Sequence, residues 1–535
     1  MLRRRFPVSS NRYDVIIVGG GHNGLVCACY LAQAGKHVLV IERRSIVGGA
    51  AVTEEFYPGF KNSTASYTVS LLNPKVIEDL GLYDHGLRIL NRPRPNFLPV
   101  GDDQYLLSSS NLTEMTGEVT KFSSNDAQAL PKYYEMLENV AEFLRALLLE
   151  TPLNPEGGFR EIIKGLKLYG LMRKLKASER RDVIDLFTKS ALELLDDYFE
   201  SDEVKALFAF DSVVGNYAAP DTPGSAYVLL HHVFGEVNGE KGAWGHAIGG
   251  MGAITQAMLK EAQRLGVDVK TDVAVDKILV DNGRAIGVSS GEDCWYAKAV
   301  ASNLNPKLLF TELVDDSHLP SSFIDAIRRY RCGSATFRMN VALSELPSFK
   351  CLPGTDLQPH HQSGIIMAPS PEYMRRAYFD AKSFGWSKSP IVEMLIPSTV
   401  DDSLAPDGQH VASLFCQHFD PQLPNGRSWD DCREEAAQAI IRTVDQFAPN
   451  FSQSIIATQV HSPLDLERKF GLVDGDIMHG SLGLDQLYMN RPVYGYGDYR
   501  TPIEMLFICG SGAHPGGGVT GAPGHNAAQA ILRAL

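Results

Sequence analysis

The segment from Tyr13 to Glu42 limits what this chain can fold into more than any other. YDVIIV (13–18) is a short apolar, β-branched run with the character of a buried parallel strand. It leads directly into Gly19-Gly20-Gly21-His22-Asn23-Gly24, so that Gly19, Gly21 and Gly24 form a G-x-G-x-x-G pattern. LVCACYLAQAG (25–35) follows as an Ala- and Leu-rich helix ending at a glycine, and HVLVIE (37–42) as a second strand closing on Glu42. Each part has a physical task. The first glycine makes a tight turn, the second lets the backbone approach a pyrophosphate, and the third lets helix and strand pack closely. The helix N-terminus offers unpaired N–H groups, and the acid at the end of the second strand suits a ribose diol. Strand, loop, helix, strand and acid in this order predict a dinucleotide site.

Composition narrows the class further. The 535 residues suggest two to four domains, and 44% hydrophobic with 21% charged residues is ordinary for a globular chain. A net charge of −13 argues against a general nucleic-acid binder, which needs clustered positive charge. No run of eighteen apolar residues predicts a transmembrane helix. The eight cysteines lack regular spacing, which suggests reduced thiols and an intracellular compartment. No C-x-x-C, H-E-x-x-H or EF-hand pattern appears, so no metal site is expected. The first twelve residues carry Arg3, Arg4, Arg5 and Arg12 with no acid before Asp14, which suits mitochondrial import to the matrix; a solvated basic tail is the plainer alternative. Residues 160–181 hold eight basic residues against two acids, a local +6, interleaved with Ile162, Leu166, Tyr169, Met172 and Leu175. Such a basic amphipathic helix suits an anionic membrane surface or a protein partner, or else packs its apolar side inward.

Glu42-Arg43-Arg44-Ser45-Ile46-Val47-Gly48-Gly49 reads E-R-x-x-x-x-G-G, which resembles the extended FAD motif of the flavin amine oxidase, phytoene desaturase and retinol saturase superfamily. Two other motifs are set aside. Disulfide reductases carry a redox C-x-x-x-x-C after the glycine pair, whereas Ala50-Ala51-Val52-Thr53 stands here. Gly287-Val288-Ser289-Ser290-Gly291 matches G-x-S-x-G in letters, but it lies between two strand-like runs and predicts a hairpin rather than a nucleophile elbow.

Two further segments carry the resemblance. Gly249-Gly250-Met251-Gly252, a helix, a strand and a hairpin around Asp281-Asn282-Gly283 resemble the second FAD segment of phytoene desaturases and carotenoid isomerases. Val275, on the first of these strands, is matched to the valine that presents its backbone to adenine there; Val273 has the same facing. KAVASNLNP (298–306) resembles V-x-S-N-A-D-P, with Leu304-Asn305 in place of Ala-Asp. MLFICG (505–510), then Ser511-Gly512-Ala513-His514-Pro515-Gly516-Gly517-Gly518-Val519-Thr520-Gly521 and a helix, resembles the flavin-facing C-terminal motif of the same group.

The resemblance implies an α/β chain with a Rossmann-like FAD-binding domain of the glutathione-reductase type (13–75, 236–310 and 481–535). This domain is interleaved with an α+β substrate or cover domain (76–235 and 311–480), after a targeting tail (1–12). It implies FAD held by Gly19, Gly21, Gly24, Glu42, Arg43, Gly48, Gly49, Val275, Gly510, Gly518, Val519 and Thr520. It also implies an oxidoreductase that desaturates, saturates or isomerises a hydrophobic polyene or isoprenoid substrate. With no second NAD(P) unit, the expected electron acceptor is oxygen, a quinone or a protein. His514 is the catalytic-base candidate from its motif position, with a loop-bracing hydrogen bond as the alternative; His231, His232 and Glu393 are weaker ones. A different class, a flavin-bearing regulatory protein that binds a mitochondrial partner, is motivated by the lack of a clear catalytic pair.

Overall fold

Tyr13–Val18 is apolar on both faces because the strand lies at the centre of a sheet covered on both sides. In the computed structural model, which describes residues 12–155, 157–231 and 233–535, strand Arg12–Val18 pairs in parallel with Val38–Ile41 and with Asp293–Ser302. Asp268–Lys270 extends the sheet beyond Val38–Ile41, and Leu506–Ile508 joins beside Val300–Ser302, both parallel. The sheet thus draws its parallel strands from three distant parts of the chain. The predicted hairpin is present: Lys277–Asp281 and Arg284–Ser290 pair antiparallel, with positive φ at Asn282 and Gly283 in the turn. Ser289 lies within this strand, which pairs antiparallel with Asp293–Ser302, and its hydroxyl donates to Asp276 Oδ1 at 2.7 Å. Of the basic tail expected over residues 1–12, residues 1–11 lie outside the described residues, and Arg12 opens strand Arg12–Val18.

Helix His22–Gln33 is buried along most of its length because helices Gly252–Arg264 and Ala522–Ala534 both pack on it. Contact with the latter is at backbone distance: a Cβ on Gly524 would stand 2.2 Å from the Asn23 carbonyl oxygen. Glycine is required there.

The second sheet runs, in spatial order, Ile455–His461, Thr336–Leu343, His410–Phe419, Trp386–Leu395, Gly364–Met367, Asn96–Pro99 and Tyr105–Leu107. Period-two alternation assigns its faces. Ile365, Met367, Val392, Met394, Leu414 and Cys416 pack under helix Trp429–Phe447. Ile366, Ile391 and Phe415 point the other way, into a core shared with the helices between Ser124 and His231. Glu393 is in register with Ile366 and Phe415 and so belongs to this second face.

Residues 160–181 form parts of two helices, Phe159–Lys174 and Ala177–Thr188, not one. The apolar residues do not share a face, which corrects the sequence reading. Met172 and Leu175 pack inward with Leu168 and Leu171, whereas Ile162, Leu166 and Tyr169 face outward beside Phe159 and Ile163. No helix of the described residues is long and apolar enough to cross a membrane.

Candidate functional site

The glycine loop forms one wall of a cleft of about 230 Å³ at the C-terminal ends of the parallel strands. Gly19 turns with φ +97°. A Cβ on Gly21 would meet Asn303 Nδ2 at 2.6 Å, and one on Gly24 would meet the Gly19 carbonyl oxygen at 2.3 Å. Gly21 caps helix His22–Gln33 without a side-chain bond, and no acid stands in the first turn, so the helix N-terminus keeps its free donors and positive end. The Gly20 and Arg44 N–H groups donate to the two Glu42 carboxylate oxygens, at 2.8 and 2.9 Å, which fixes this acid in the cleft wall. Gly48 (φ +129°) donates to the Gly20 carbonyl, and a Cβ there would strike Thr255 Oγ1 at 2.7 Å. Gly49 and Arg43 line the cleft, Arg43 also donating to the Arg468 carbonyl at 3.1 Å.

Val273 and Val275 both line the cleft from the loop between strands Asp268–Lys270 and Lys277–Asp281. The expectation that this valine sits on a strand is corrected; the Val273 N–H pairs with the Glu42 carbonyl at 3.0 Å instead. Asn303, after strand Asp293–Ser302, donates to the Gly19 carbonyl at 3.3 Å. Gly510 is tight against the Asn303 carbonyl, and Asn23 Nδ2 donates to Ser511 Oγ at 3.1 Å.

His22, Ala50, His479 and Ser511 also border a second cavity of about 110 Å³, walled by Tyr67, Leu71, Trp244, Phe415, Gly518 and Val519. Thr520 is buried but is not among the lining residues; its hydroxyl accepts from the Ala522 N–H at 3.1 Å. His514 is likewise not brought to either cavity. Its Nε2 lies 3.0 Å from the Leu147 carbonyl, and burial lowers its pKa to about 4. The ring braces the loop, which corrects its assignment as the base. His231 is buried near Gly518, and His232 lies outside the described residues.

Buried polar atoms without a protein partner gather at this cleft: His22 Nε2, Asn23 Oδ1, Arg44 Nη1 and His479 Nδ1. Buried polar groups are normally bonded, so these atoms mark where a polar ligand completes the wall. Burial lowers the pKa of His22 to about 4 and of His479 to about 3, leaving both rings neutral at pH 7. The glycine cradle, the helix N-terminus and these open donors and acceptors fit a dinucleotide.

A second group of titratable residues comes from separate strands and loops; the sequence singled out Glu393 as a weaker base candidate and missed Tyr67, Arg92, Asp211 and Arg338. The Tyr67 hydroxyl donates to Glu393 Oε2 at 2.5 Å, with its ring stacked on Phe415 at 4.6 Å and the Arg338 guanidinium 4.8 Å over the ring. Burial raises the Glu393 pKa, opposed by Arg92, by the Tyr67 bond and by Arg338. The one signal in the sequence was Arg338 itself, a charge inside the strand-like run ATFRMNVAL. Nearby Asp211 is pushed up to about 8 by burial and by the Glu393 charge, with Arg92 pulling the other way. Its proton is thus held in the folded state from the unfolded value near 4 up to pH 8, and the group costs stability increasingly over that window. Asp211→Asn is therefore expected to melt at the same temperature as the parent at pH 4 and at a clearly higher one at pH 8. An unchanged gap between the two pH values would contradict the assignment.

The sequence model of flavin-containing amine oxidoreductases matches residues 24–337, and the chain belongs to that family. Over 98% of its length it is 38% identical to the rat protein named pyridine nucleotide-disulfide oxidoreductase domain-containing protein 2, covering 94% of that protein. It is 24% identical to a limonene dehydrogenase chain of Castellaniella defragrans, over 97% of this chain and 94% of that one. An oxidoreductase structure from Methanosarcina mazei shares the fold, with a TM-score of 0.60 at 17% identity over 97% of this chain and 100% of that chain. The protein is a flavin-dependent oxidoreductase.

Proposed function

We propose that the flavin is FAD and that the enzyme removes or adds hydrogen at a C–C or C=C bond of a hydrophobic, isoprenoid-like substrate. One observation carries the substrate reading. The cavity beyond the dinucleotide cleft is walled by Leu71, Val214, Trp244, Phe415, Ile477 and Met478, with no lysine, arginine or carboxylate among its lining residues. An apolar molecule gains from that surface, whereas a polar one loses its hydration. The relationship to the limonene dehydrogenase chain supports the same class. Glu42 would take the adenosine ribose and the N-terminus of helix His22–Gln33 the pyrophosphate, in the manner of the glutathione-reductase type, within a domain of 13–75, 236–310 and 481–535. FAD, when bound, supplies the hydride acceptor or donor. Tyr67, backed by Glu393, is the hydroxyl at this cavity able to exchange a proton with the substrate. The electron acceptor in this reading is oxygen, a quinone or a protein. Stopped-flow mixing of the reduced holoprotein with oxygen, a soluble quinone and NAD(P)⁺ is the test, with reoxidation expected from the first two. Fast reoxidation by NAD⁺ alone would overturn it.

In the same reading the protein resides in the mitochondrial matrix, drawn there by Arg3, Arg4, Arg5 and Arg12, and lies against an anionic membrane through helix Phe159–Lys174. On that helix Phe159, Ile162, Ile163, Leu166 and Tyr169 are all more than half exposed, opposite the face that packs inward. Lys167, Arg173 and Lys174 flank them, although Lys167 is held by Glu150 at 2.6 Å. Apolar residues rimmed by cations suit an interface of acidic headgroups. The holoprotein is expected to sediment with vesicles containing phosphatidylglycerol and not with phosphatidylcholine alone. Leu166→Ser with Phe159→Ser should weaken that binding about tenfold. Equal binding to both vesicle types would remove the electrostatic part of the claim.

A further inference from the structure

A larger chamber of about 720 Å³ has Trp244 in its wall. Trp244 borders both spaces. Most of the wall is apolar, with Met115, Leu137, Leu207, Phe208 and Leu229. Two polar groups on it have no use within the protein. Asp211 makes no hydrogen bond or ion pair with any described residue, and the Tyr133 hydroxyl is buried without a partner. Tyr133 is held rigid by ring contacts to Tyr198, Phe199 and Phe208. A buried hydroxyl without a partner is rare in native proteins, so Tyr133, with the unbonded Asp211 carboxyl on the same wall, points to a ligand.

The remaining charges are already answered. Arg92 stacks on Trp244, 5.3 Å from the ring centroid, and donates to the Pro95 carbonyl and Thr68 Oγ1. Arg92 Nη1 and Glu393 Oε1 crowd the same point, each less than 3 Å from where a Cβ on Gly364 would stand. Lys241 is bound to Glu138 and Glu142 at the rim. The Arg92 charge is offset by Glu393 beside it and a protonated Asp211 carries none, so neither a cationic nor an anionic head finds an unanswered partner.

We propose, on the apolar-substrate reading above, that this chamber binds the polar end of the substrate. That end is a neutral oxygen such as a hydroxyl or carbonyl, anchored by Asp211 and Tyr133 while the apolar remainder passes Trp244 toward the flavin-facing cavity. A protonated Asp211, as its raised pKa implies, and the Tyr133 hydroxyl are both donors to such an oxygen.

The test is calorimetric titration of the holoprotein with decanol, decylamine, decanoate and decane. Decanol is expected to bind about tenfold more tightly than the other three, the worth of one or two buried hydrogen bonds. Asp211→Leu combined with Tyr133→Phe should abolish that preference and leave decane binding unchanged, which also shows that the variant is folded. Equal binding of all four in parent and variant would overturn the anchor while leaving the apolar-substrate reading intact. Decanol bound by the parent alone, with decane never bound, would keep the anchor and sink the apolar reading. Preference for the amine or the acid, or no binding by any probe, overturns the proposal.

Discussion

Gly24→Val is expected to purify colourless and to resist reconstitution with FAD. A side chain at this position would begin 2.3 Å from the Gly19 carbonyl oxygen and 3.3 Å from Asn303 Nδ2. The first neighbour is backbone, held by the Gly19 N–H bond to the Ile41 carbonyl at 2.8 Å, so it cannot swing aside. Helix His22–Gln33 would have to lift from the sheet, carrying its N-terminal donors away from the pyrophosphate position. Affinity should fall beyond measurement because the cradle and the helix end are lost together. Glu42→Gln makes a graded comparison. One amide oxygen still accepts from the loop, but the charge is gone, and a loss of roughly tenfold to a hundredfold in FAD affinity is expected. The readout for both is flavin absorbance of the purified protein against protein concentration. A Gly24→Val protein carrying one flavin per chain would refute this account of the loop.

Arg491→Met should cost about 3–5 kcal/mol, the usual penalty for breaking a buried charged cluster from one side. This arginine has no exposed surface, and its guanidinium donates to the backbone carbonyls of Met478, Gly480, Ser481, Gln486 and Ser511. Methionine replaces the aliphatic stem but would leave those carbonyls buried and unpaired. Met478 and Ser511 also border the cavity beside the glycine-loop cleft, so the same change should loosen flavin binding. Lysine keeps the charge but cannot reproduce the planar fork, and Arg491→Lys should recover only part of the loss. Urea unfolding of the holoproteins measures both effects. A penalty below about 1 kcal/mol for Arg491→Met would show that water or a neighbour satisfies the carbonyls.

The dinucleotide cleft was legible in the sequence because its determinants are local. Gly19, Gly21, Gly24 and Glu42 lie within thirty residues and obey helix and strand spacing that can be read without tertiary contacts. Of the acid–base cluster only Glu393 was singled out, because Tyr67, Arg92, Asp211 and Arg338 meet it only through sheet register and loop packing. Glu393 stands beside Tyr67 because strand Trp386–Leu395 pairs with His410–Phe419 in a particular register, which sets Glu393 opposite Phe415. No periodicity in either strand announces that partner. His514 shows the opposite failure. Its motif put it on a loop beside the expected flavin site, but only the approach of Leu147, from a distant helix, decides which way the ring turns and what it bonds. Helix Phe159–Lys174 misled for a third reason: it is apolar on two sides, and composition alone cannot say which side meets the core.

The packing of helix Ala522–Ala534 on His22–Gln33 has a consequence for how the chain is made. At 5–20 residues per second, a ribosome takes on the order of half a minute to two minutes to pass from one helix to the other. During that time the nucleotide loop exists without strand Leu506–Ile508, without Ser511 beside Asn23, and without the Gly524 surface that covers the first helix. The face of His22–Gln33 that meets Ala522–Ala534 is then bare. Nascent chains should therefore depend on chaperones that shield the amino-terminal helix, and FAD should be captured only after release. A chain stopped before residue 506 would be a chaperone client that never becomes yellow, whatever the state of its glycine motif.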